Sequence, residues 1–365
     1  MSHFLCSKCG RRYPADTRQF RCSCGGTFDL DFRARFPVHE IEKRSHNMWR
    51  YREALPVEFD CSIVSMSEGC TALVEEVIGG RSVFIKNDTL FPTGSFKDRG
   101  ASVLISYARE HSVKSVVEDS SGNAGCSIAA YASRAGMRCE IFVPDSTSQS
   151  KLNQIAAYNS RVKLVKGSRD DVAREILETA SMEFYASHVY NPFFLHGTKT
   201  FAFEVCEQLG WKSPDAVVVP VGNGTLLLGV AIGFDELRSE GVVNRVPKII
   251  AVQSKNCSPL LQAFNKKSDL PLPLKIEKTI AEGIAIERPV RGAQILKAVT
   301  RSNGTFIGVA EDEIVEAGIE MAGRGFFIEP TAAATIAGLK KYVTSSSSHD
   351  LIVSVFSGHG LKTDR

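Results

Sequence analysis

The chain has 365 residues, 43% of them hydrophobic and 23% charged, and its 44 Lys and Arg against 41 Asp and Glu leave a formal charge of +3. These values suit a globular protein and exclude wholesale disorder, a fibrous repeat, and a nucleic-acid or membrane surface spread over the whole chain. No apolar run reaches the ~20 residues of a membrane-spanning helix; the most apolar stretch, 216–233, is broken by Gly222-Asn223-Gly224.

The N-terminal sequence MSHFLCSKCGRRYP lacks the continuous apolar core of a signal peptide, so a cytoplasmic, reducing location is expected. Residues 1–35 carry two cysteine pairs, several arginines and few aliphatics, too little apolar surface to fold unaided. Cys6-x-x-Cys9 and Cys22-x-Cys24 are each followed by glycine, which permits the tight turns that aim backbone amides at sulfur. Four thiolates in two such knuckles suit tetrahedral Zn2+ in a closed, structural site, with a disulfide or free thiols as the alternative. Arg11, Arg12, Arg18 and Arg21 read as solvated charges around a small zinc ribbon, with no nucleic-acid partner expected. The other six cysteines stand singly among apolar or small neighbours, as reduced packing residues do.

Residues 36–365 form the expected second region, an α/β body. Short β-branched runs at 82–87, 114–119, 138–143, 161–165, 215–220, 248–253 and 351–356 predict strands. Amphipathic stretches at 98–111, 123–135, 169–183, 224–239, 311–323 and 331–343 predict helices between them. Such alternation points to mostly parallel, doubly wound sheets, whose ligands gather where strands end and helices begin. DLPLPLK (269–275) reads as a surface connector.

Four junctions carry chemistry. In Pro92-Thr93-Gly94-Ser95-Phe96-Lys97-Asp98-Arg99-Gly100 a lysine stands at a helix mouth, where the dipole disfavours its charge, as a Schiff-base lysine needs. In Ser120-Ser121-Gly122-Asn123-Ala124-Gly125 small residues let the backbone approach a ligand and Asn123 can donate to a ring oxygen; alone, the loop is equally an ordinary Asn/Gly turn. Val221-Gly222-Asn223-Gly224-Thr225-Leu226 offers a nest of amides for a phosphate dianion. With no G-x-G-x-x-G and no acidic residue closing the next strand, it is not a dinucleotide site. In Ser357-Gly358-His359-Gly360-Leu361-Lys362 the serine offers a neutral hydroxyl at a strand end.

Taken in order, SMSEGCTALV, KNDTLFPTGSFKDRG, DSSGNAG, YNPFFLHGTKTFAFEV, VPVGNGTLLLG, EPTAAATIAGL and SGHGLK resemble the fold-type II pyridoxal-phosphate enzymes, the tryptophan synthase β group. The resemblance runs from about Trp49 to the C-terminus and is strongest to the threonine synthase family, some members of which carry a zinc-ribbon head. It implies two doubly wound subdomains, the smaller and mobile one built from residues of about 100–190. It also implies pyridoxal 5'-phosphate tied to Lys97, with Phe96 beside the ring and Asn123 bonded to the ring oxygen. Gly222, Asn223, Gly224, Thr225 and Leu226 then cup the phosphate, and Ser357 partners the pyridine nitrogen. The implied reaction turns O-phospho-L-homoserine and water into L-threonine and phosphate, with Ser121, Lys151 and Arg161 gripping the substrate phosphate and His188 or His196 shuttling protons. Departures from the family pattern at Cys70, Ala72, Ala124, His188 and His196 surround the substrate. A related lyase acting on threonine or serine, or a β-replacement enzyme, would use the same cofactor set. The resemblance implies a small amino-acid substrate and a homodimer, and gives no membrane partner.

Overall fold

The computed structural model describes residues 3–14, 16–147, 149–167, 169–180 and 183–363, apart from the side chains of Ser150, Lys151, Arg169 and Asp170. The chain crosses between two units, one holding residues 1–69, 97–198 and 364–365 and the other residues 70–96 and 199–363. Among the described residues no helix is long and apolar enough to cross a membrane.

The first unit begins with an antiparallel three-stranded sheet ordered Arg12–Pro14, His3–Cys6, Phe28–Asp31. Its few apolar side chains do not form a core of their own. Phe4 stacks on Phe28 at 5.3 Å and meets Phe193 edge-on at 5.9 Å, and Phe4, Cys6, Cys22 and Phe28 share one buried cluster with Trp49, Leu104 and Phe194.

The unit's larger sheet is parallel throughout, ordered Arg161–Val165, Arg138–Pro144, Ser115–Glu118, Phe184–Tyr185. From Ser115–Glu118 the chain winds outward twice, then returns to the opposite side as Phe184–Tyr185. The sheet therefore has its switch point between those two strands, where loops diverge and leave a crevice at their carboxyl ends. Helix Lys97–Glu110 is buried along nearly its whole length. Helix Pro192–Thr198 lies close against it because two positions lack a side chain. A Cβ on Gly100 would stand 2.3 Å from the Phe194 ring, and one on Gly197 would stand 2.1 Å from the Arg99 carbonyl oxygen. Buried Glu68 accepts from the Trp49 indole at 3.2 Å and from Ser102 Oγ at 2.5 Å, tying the segment before it to the same helix.

The second unit holds a six-stranded sheet ordered Thr305–Val309, Lys248–Ser254, Ala216–Pro220, Ile352–Phe356, Arg81–Asn87, Leu73–Ile78. It is parallel except for the hairpin that Leu73–Ile78 forms with Arg81–Asn87. The central strands AVVVP and IVSVF are wholly buried, as strands covered on both faces must be. The hairpin is laid first at one edge; from Ala216–Pro220 the chain winds outward to the other edge and then returns as Ile352–Phe356, so this sheet's switch point lies between Ala216–Pro220 and Ile352–Phe356. Helix Thr225–Ser239 follows the first of these strands, and helix Pro330–Ser345, opened by proline at its first turn, packs beneath the sheet.

All seven sequence-predicted strands form, 161–165 at its predicted bounds, and helix Glu311–Gly323 also forms where predicted. Strand Leu73–Ile78 has no clear apolar pattern because Glu75 and Glu76 interrupt it, and Phe184–Tyr185 is too short to have a period. Segment 269–275 is a connector without helix or strand, as expected.

Candidate active site

Of the four junctions singled out in the sequence, 120–125, 221–226 and 357–362 fall at the switch points, each within its own unit, whereas 92–100 passes from one unit to the other at Lys97. In the first unit, strand Ser115–Glu118 leads through Asp119–Gly122 into helix Asn123–Arg134, placing Asn123 at the helix start and Ser121 in the loop. Gly125 lets that loop fold tightly over the first turn, since a Cβ there would stand 1.8 Å from the Ser120 carbonyl oxygen. The helix has no side-chain cap. Lys97 is the first residue of its helix, and its Nζ lies 5.8 Å from the centre of the Phe194 ring.

His188 follows the other switch-point strand. Its Nδ1 lies 2.6 Å from Oε1 of Glu118, which is fully buried. Burial pushes the Glu118 carboxyl up to about 8, against the lowering effects of the His188 backbone bond and the Lys97 charge. Sequence reading missed Glu118, whose only local signal is its place at the end of a strand.

The other candidates of this unit lie elsewhere. Arg161 opens the edge strand Arg161–Val165 at its amino end, has a side chain 82% exposed, and pairs with Glu140 at 3.1 Å. The structure thus does not bring Arg161 to the carboxyl end where Asn123 and Glu118 lie. His196 is buried in helix Pro192–Thr198 and meets Phe32 edge-on at 5.6 Å. Lys151 belongs to helix Gln149–Ala157, but its side chain lies outside the described residues.

In the second unit, Val221 to Thr225 link strand Ala216–Pro220 to helix Thr225–Ser239. Gly224 adopts φ +79°, and an added Cβ would stand 2.4 Å from Ile295 Cδ1. At Gly222 a Cβ would stand 2.9 Å from Ile286 Cγ1 and 3.0 Å from the Gly283 oxygen. This turn, with glycine at 222 and 224, leaves the buried start of a 15-residue helix without a side-chain cap, a seat for an anion. The other switch-point strand ends at Ser357. Its carbonyl accepts from Phe96 N–H at 3.0 Å, and a bridge between Ser95 and Gly358 continues the contact, so Phe96 and Ser357 are brought together. Buried Ser95 Oγ has no partner among the described residues, an open polar position beside that turn. Ser357 Oγ donates to buried Glu329 at 3.0 Å, and Gly358 leaves room for that carboxylate, since its Cβ would stand 2.4 Å from Glu329 Cδ. Sequence reading took Ser357 as a neutral hydroxyl alone; Glu329 was legible only as part of EPTAAATIAGL.

The head presents a second site. The sulfurs of Cys6, Cys9, Cys22 and Cys24 all lie within 4.8 Å of one another, Cys6 to Cys24 being 3.5 Å and Cys9 to Cys22 3.6 Å. Bonds of ~2.3 Å to a tetrahedral cation would set sulfur spacings of about 3.8 Å, so the donor set fits. Lys8 and Cys9 N–H each donate to Cys6 Sγ at 3.4 Å. The Cys24 amide and then the Tyr13 hydroxyl bring the Cys22 thiol down to about 6, as a metal ligand needs.

Residues 64–358 match the family described as "Pyridoxal-phosphate dependent enzyme". The chain is 37% identical over 372 residues to a threonine synthase of Methanocaldococcus jannaschii, covering 98% of this chain and 92% of that protein. It is 31% identical to a threonine synthase of Methanosarcina acetivorans (99% and 92% covered) and 36% identical to one of Synechocystis sp. (86% and 82% covered). Among solved structures it shares its fold with the processed form of threonine deaminase isoform 2 from Solanum lycopersicum (TM-score 0.70, 24% identity, covering 90% of this chain and 86% of that one). Serine racemase from Dictyostelium discoideum is also similar (TM-score 0.66, 26% identity, 81% and 93% covered).

Proposed function

The chain belongs to the pyridoxal-phosphate dependent enzyme family, and from that premise we propose the detailed chemistry of a threonine synthase, a carbon–oxygen lyase that converts O-phospho-L-homoserine and water to L-threonine and phosphate. The observation that carries this reading is the 37% identity to a curated threonine synthase across 98% of the chain. The site residues fit the cofactor: an uncapped helix start behind a glycine-containing turn for its phosphate, an amine at a helix mouth, and a hydroxyl at a strand end.

In this proposal Gly222 to Leu226 hold the phosphate, Ser357 faces the ring nitrogen, Asn123 donates to the ring oxygen, and Phe96 lies along the ring. When bound, pyridoxal phosphate supplies an electron-withdrawing ring that stabilises negative charge on the substrate carbons. Lys97 holds the cofactor through Nζ and, when released, moves the proton at the α-carbon. Ser121 donates to the substrate phosphate, with Lys151 the other proposed contact; Arg161, at the amino end of its edge strand, is left out. Glu329 accepts from the Ser357 hydroxyl at 3.0 Å and so orients that side chain at the strand end. The subdomain of about 100–190 closes over the substrate, and the enzyme works as a cytoplasmic homodimer.

Purified protein loaded with cofactor tests the reading. Phosphate release from O-phospho-L-homoserine with matching threonine is expected; ammonia from threonine without phosphate release contradicts it.

The proposal assigns the four cysteines a structural Zn2+. Metal analysis is expected to find about one zinc per chain, and Cys22→Ser to lose it. Because the head shares its core with Trp49 and Phe194, the melting temperature should then fall by about 5 °C or more. Equal melting temperatures with no metal in either protein would contradict the assignment.

A further inference from the structure

The parallel sheet of the first unit ends, at its switch point, on two side chains, Glu118 and the proton-shuttle candidate His188. Glu118 closes strand Ser115–Glu118 with its side chain 0% exposed, and His188 stands three residues beyond the neighbouring strand Phe184–Tyr185, its side chain 13% exposed. Nδ1 of His188 lies 2.6 Å from Glu118 Oε1, whereas Glu118 Oε2 is buried and has no partner among the described residues. A pair that served only to staple two strands would satisfy both oxygens, because an unmet polar atom in the interior is costly. The Phe194 ring joins the pair to Lys97, with Nζ 5.8 Å from its centre and the His188 ring 6.0 Å away and edge-on.

The charged and titratable groups that face Glu118 are His188, Lys97, Asp119, Tyr185 and Cys139. Tyr185 donates to Asp119 at 2.7 Å. Burial, and after it the Glu118 charge, pushes the Asp119 carboxyl up to about 6. Two carboxyls held near neutrality beside an imidazole and an amine form a proton store at the mouth of the sheet.

We propose that His188 is the proton-transfer residue for the departing phosphate and that Glu118 is its positioning residue. Given the threonine synthase reading, on which this role rests, the β-carbon gives up a proton to Lys97 and its C–H pair forms the Cβ–Cγ double bond, while the imidazolium gives the proton on Nε2 to the phosphate oxygen as the Cγ–O bond breaks with its electron pair on that oxygen. Lys97 returns the proton to the γ-carbon as the double bond moves to Cα–Cβ, ready for water at the β-carbon. The neutral ring then takes a proton from the water whose oxygen bonds to the β-carbon, and the imidazolium is restored.

Holoenzyme variants test the role. His188→Asn keeps a donor for Glu118 but cannot titrate. Phosphate release should fall ~100-fold or more, while exchange of the substrate α-hydrogen into D2O, the work of Lys97, and the cofactor's visible band stay within about threefold. His188→Gln is the second variant, read by the same ratio should the first fail to fold. Glu118→Gln keeps a partner for His188 Nδ1 but removes the carboxyl that titrates with it, so the alkaline limb of the kcat profile should move by about one unit. A staple role would instead lower the melting temperature and leave the limb in place. Wild-type protein that releases no phosphate overturns both the substrate reading and this role. Wild-type release with His188→Asn within threefold of it, or with exchange lost in equal measure, overturns the His188 role alone.

Discussion

Replacing Lys97 by alanine removes turnover: phosphate release from O-phospho-L-homoserine falls by at least ~10³-fold, and borohydride no longer fixes cofactor to the chain. The expectation follows from where the amine stands. Lys97 opens helix Lys97–Glu110, so its charge meets the positive end of the dipole, and its Nζ lies beside the apolar ring of Phe194. A helix start disfavours the ammonium, as a Schiff-base lysine needs. Lys97→Arg sharpens the test. A guanidinium keeps the positive charge opposite Glu118 but does not deprotonate and forms no stable bond to an aldehyde carbon. It should therefore keep a folded protein and lose the borohydride label as completely as alanine does. Peptide mapping of the reduced wild-type protein should place the label on Lys97; a label on any other lysine would sink the assignment.

How far this site could be read from the sequence depended on how locally each part was encoded. Lys97, Asn123 and Gly222 to Leu226 sit in runs of neighbouring residues whose backbone demands are themselves local, such as the positive φ of Gly224. The strands that carry them are continuous β-branched runs, and DAVVVP and LIVSVF were plain as strands before any contact was known. The partners of those residues were not. His188 meets Glu118 across 70 residues and Ser357 meets Glu329 across 28, so each pair exists only because the chain reverses its winding. The reversal in the first unit rests on Phe184–Tyr185, two residues with no periodicity to betray them. Arg161 shows the opposite limit: its residue type suited a phosphate contact, but the register pairing it with Glu140 puts it at the amino end of an edge strand.

The reversals also explain how each unit builds a crevice of its own. In each unit the strand from which the chain winds outward is the neighbour of the last-laid strand, Ser115–Glu118 of Phe184–Tyr185 and Ala216–Pro220 of Ile352–Phe356. Each pair sends its following loops to opposite faces, so the crevice at its carboxyl end is lined by residues far apart in sequence. The first unit supplies an amine, an amide and a carboxyl–imidazole pair; the second supplies an anion seat and a carboxylate-backed hydroxyl.

A single methyl group at Gly125 should be enough to undo the first of these crevices. The glycine lies in the opening turn of helix Asn123–Arg134, and the loop Ser120–Gly122 folds back over it. A Cβ would stand 1.8 Å from the Ser120 carbonyl oxygen, 3.0 Å from its carbon and 3.3 Å from Ile141 Cγ2. The first two are backbone atoms, which cannot swing aside as a flexible side chain would. Relief requires moving the loop that carries Ser121 or the helix start that carries Asn123. Gly125→Ala should destabilise the protein by about 3 kcal/mol or more in urea unfolding, and what remains folded should bind cofactor at least ~10-fold more weakly, a loss of about 1.4 kcal/mol. Gly318→Ala provides the contrast, because it too lies within a helix but would meet only Ala333 Cβ, at an ordinary 3.6 Å. There the methyl restricts the unfolded chain and improves helix propensity, so stability should rise by about 0.5–1 kcal/mol. Opposite signs for the same substitution in two helices separate a steric role at Gly125 from a general cost of replacing glycine, and equal effects would refute the close approach on which Asn123 depends.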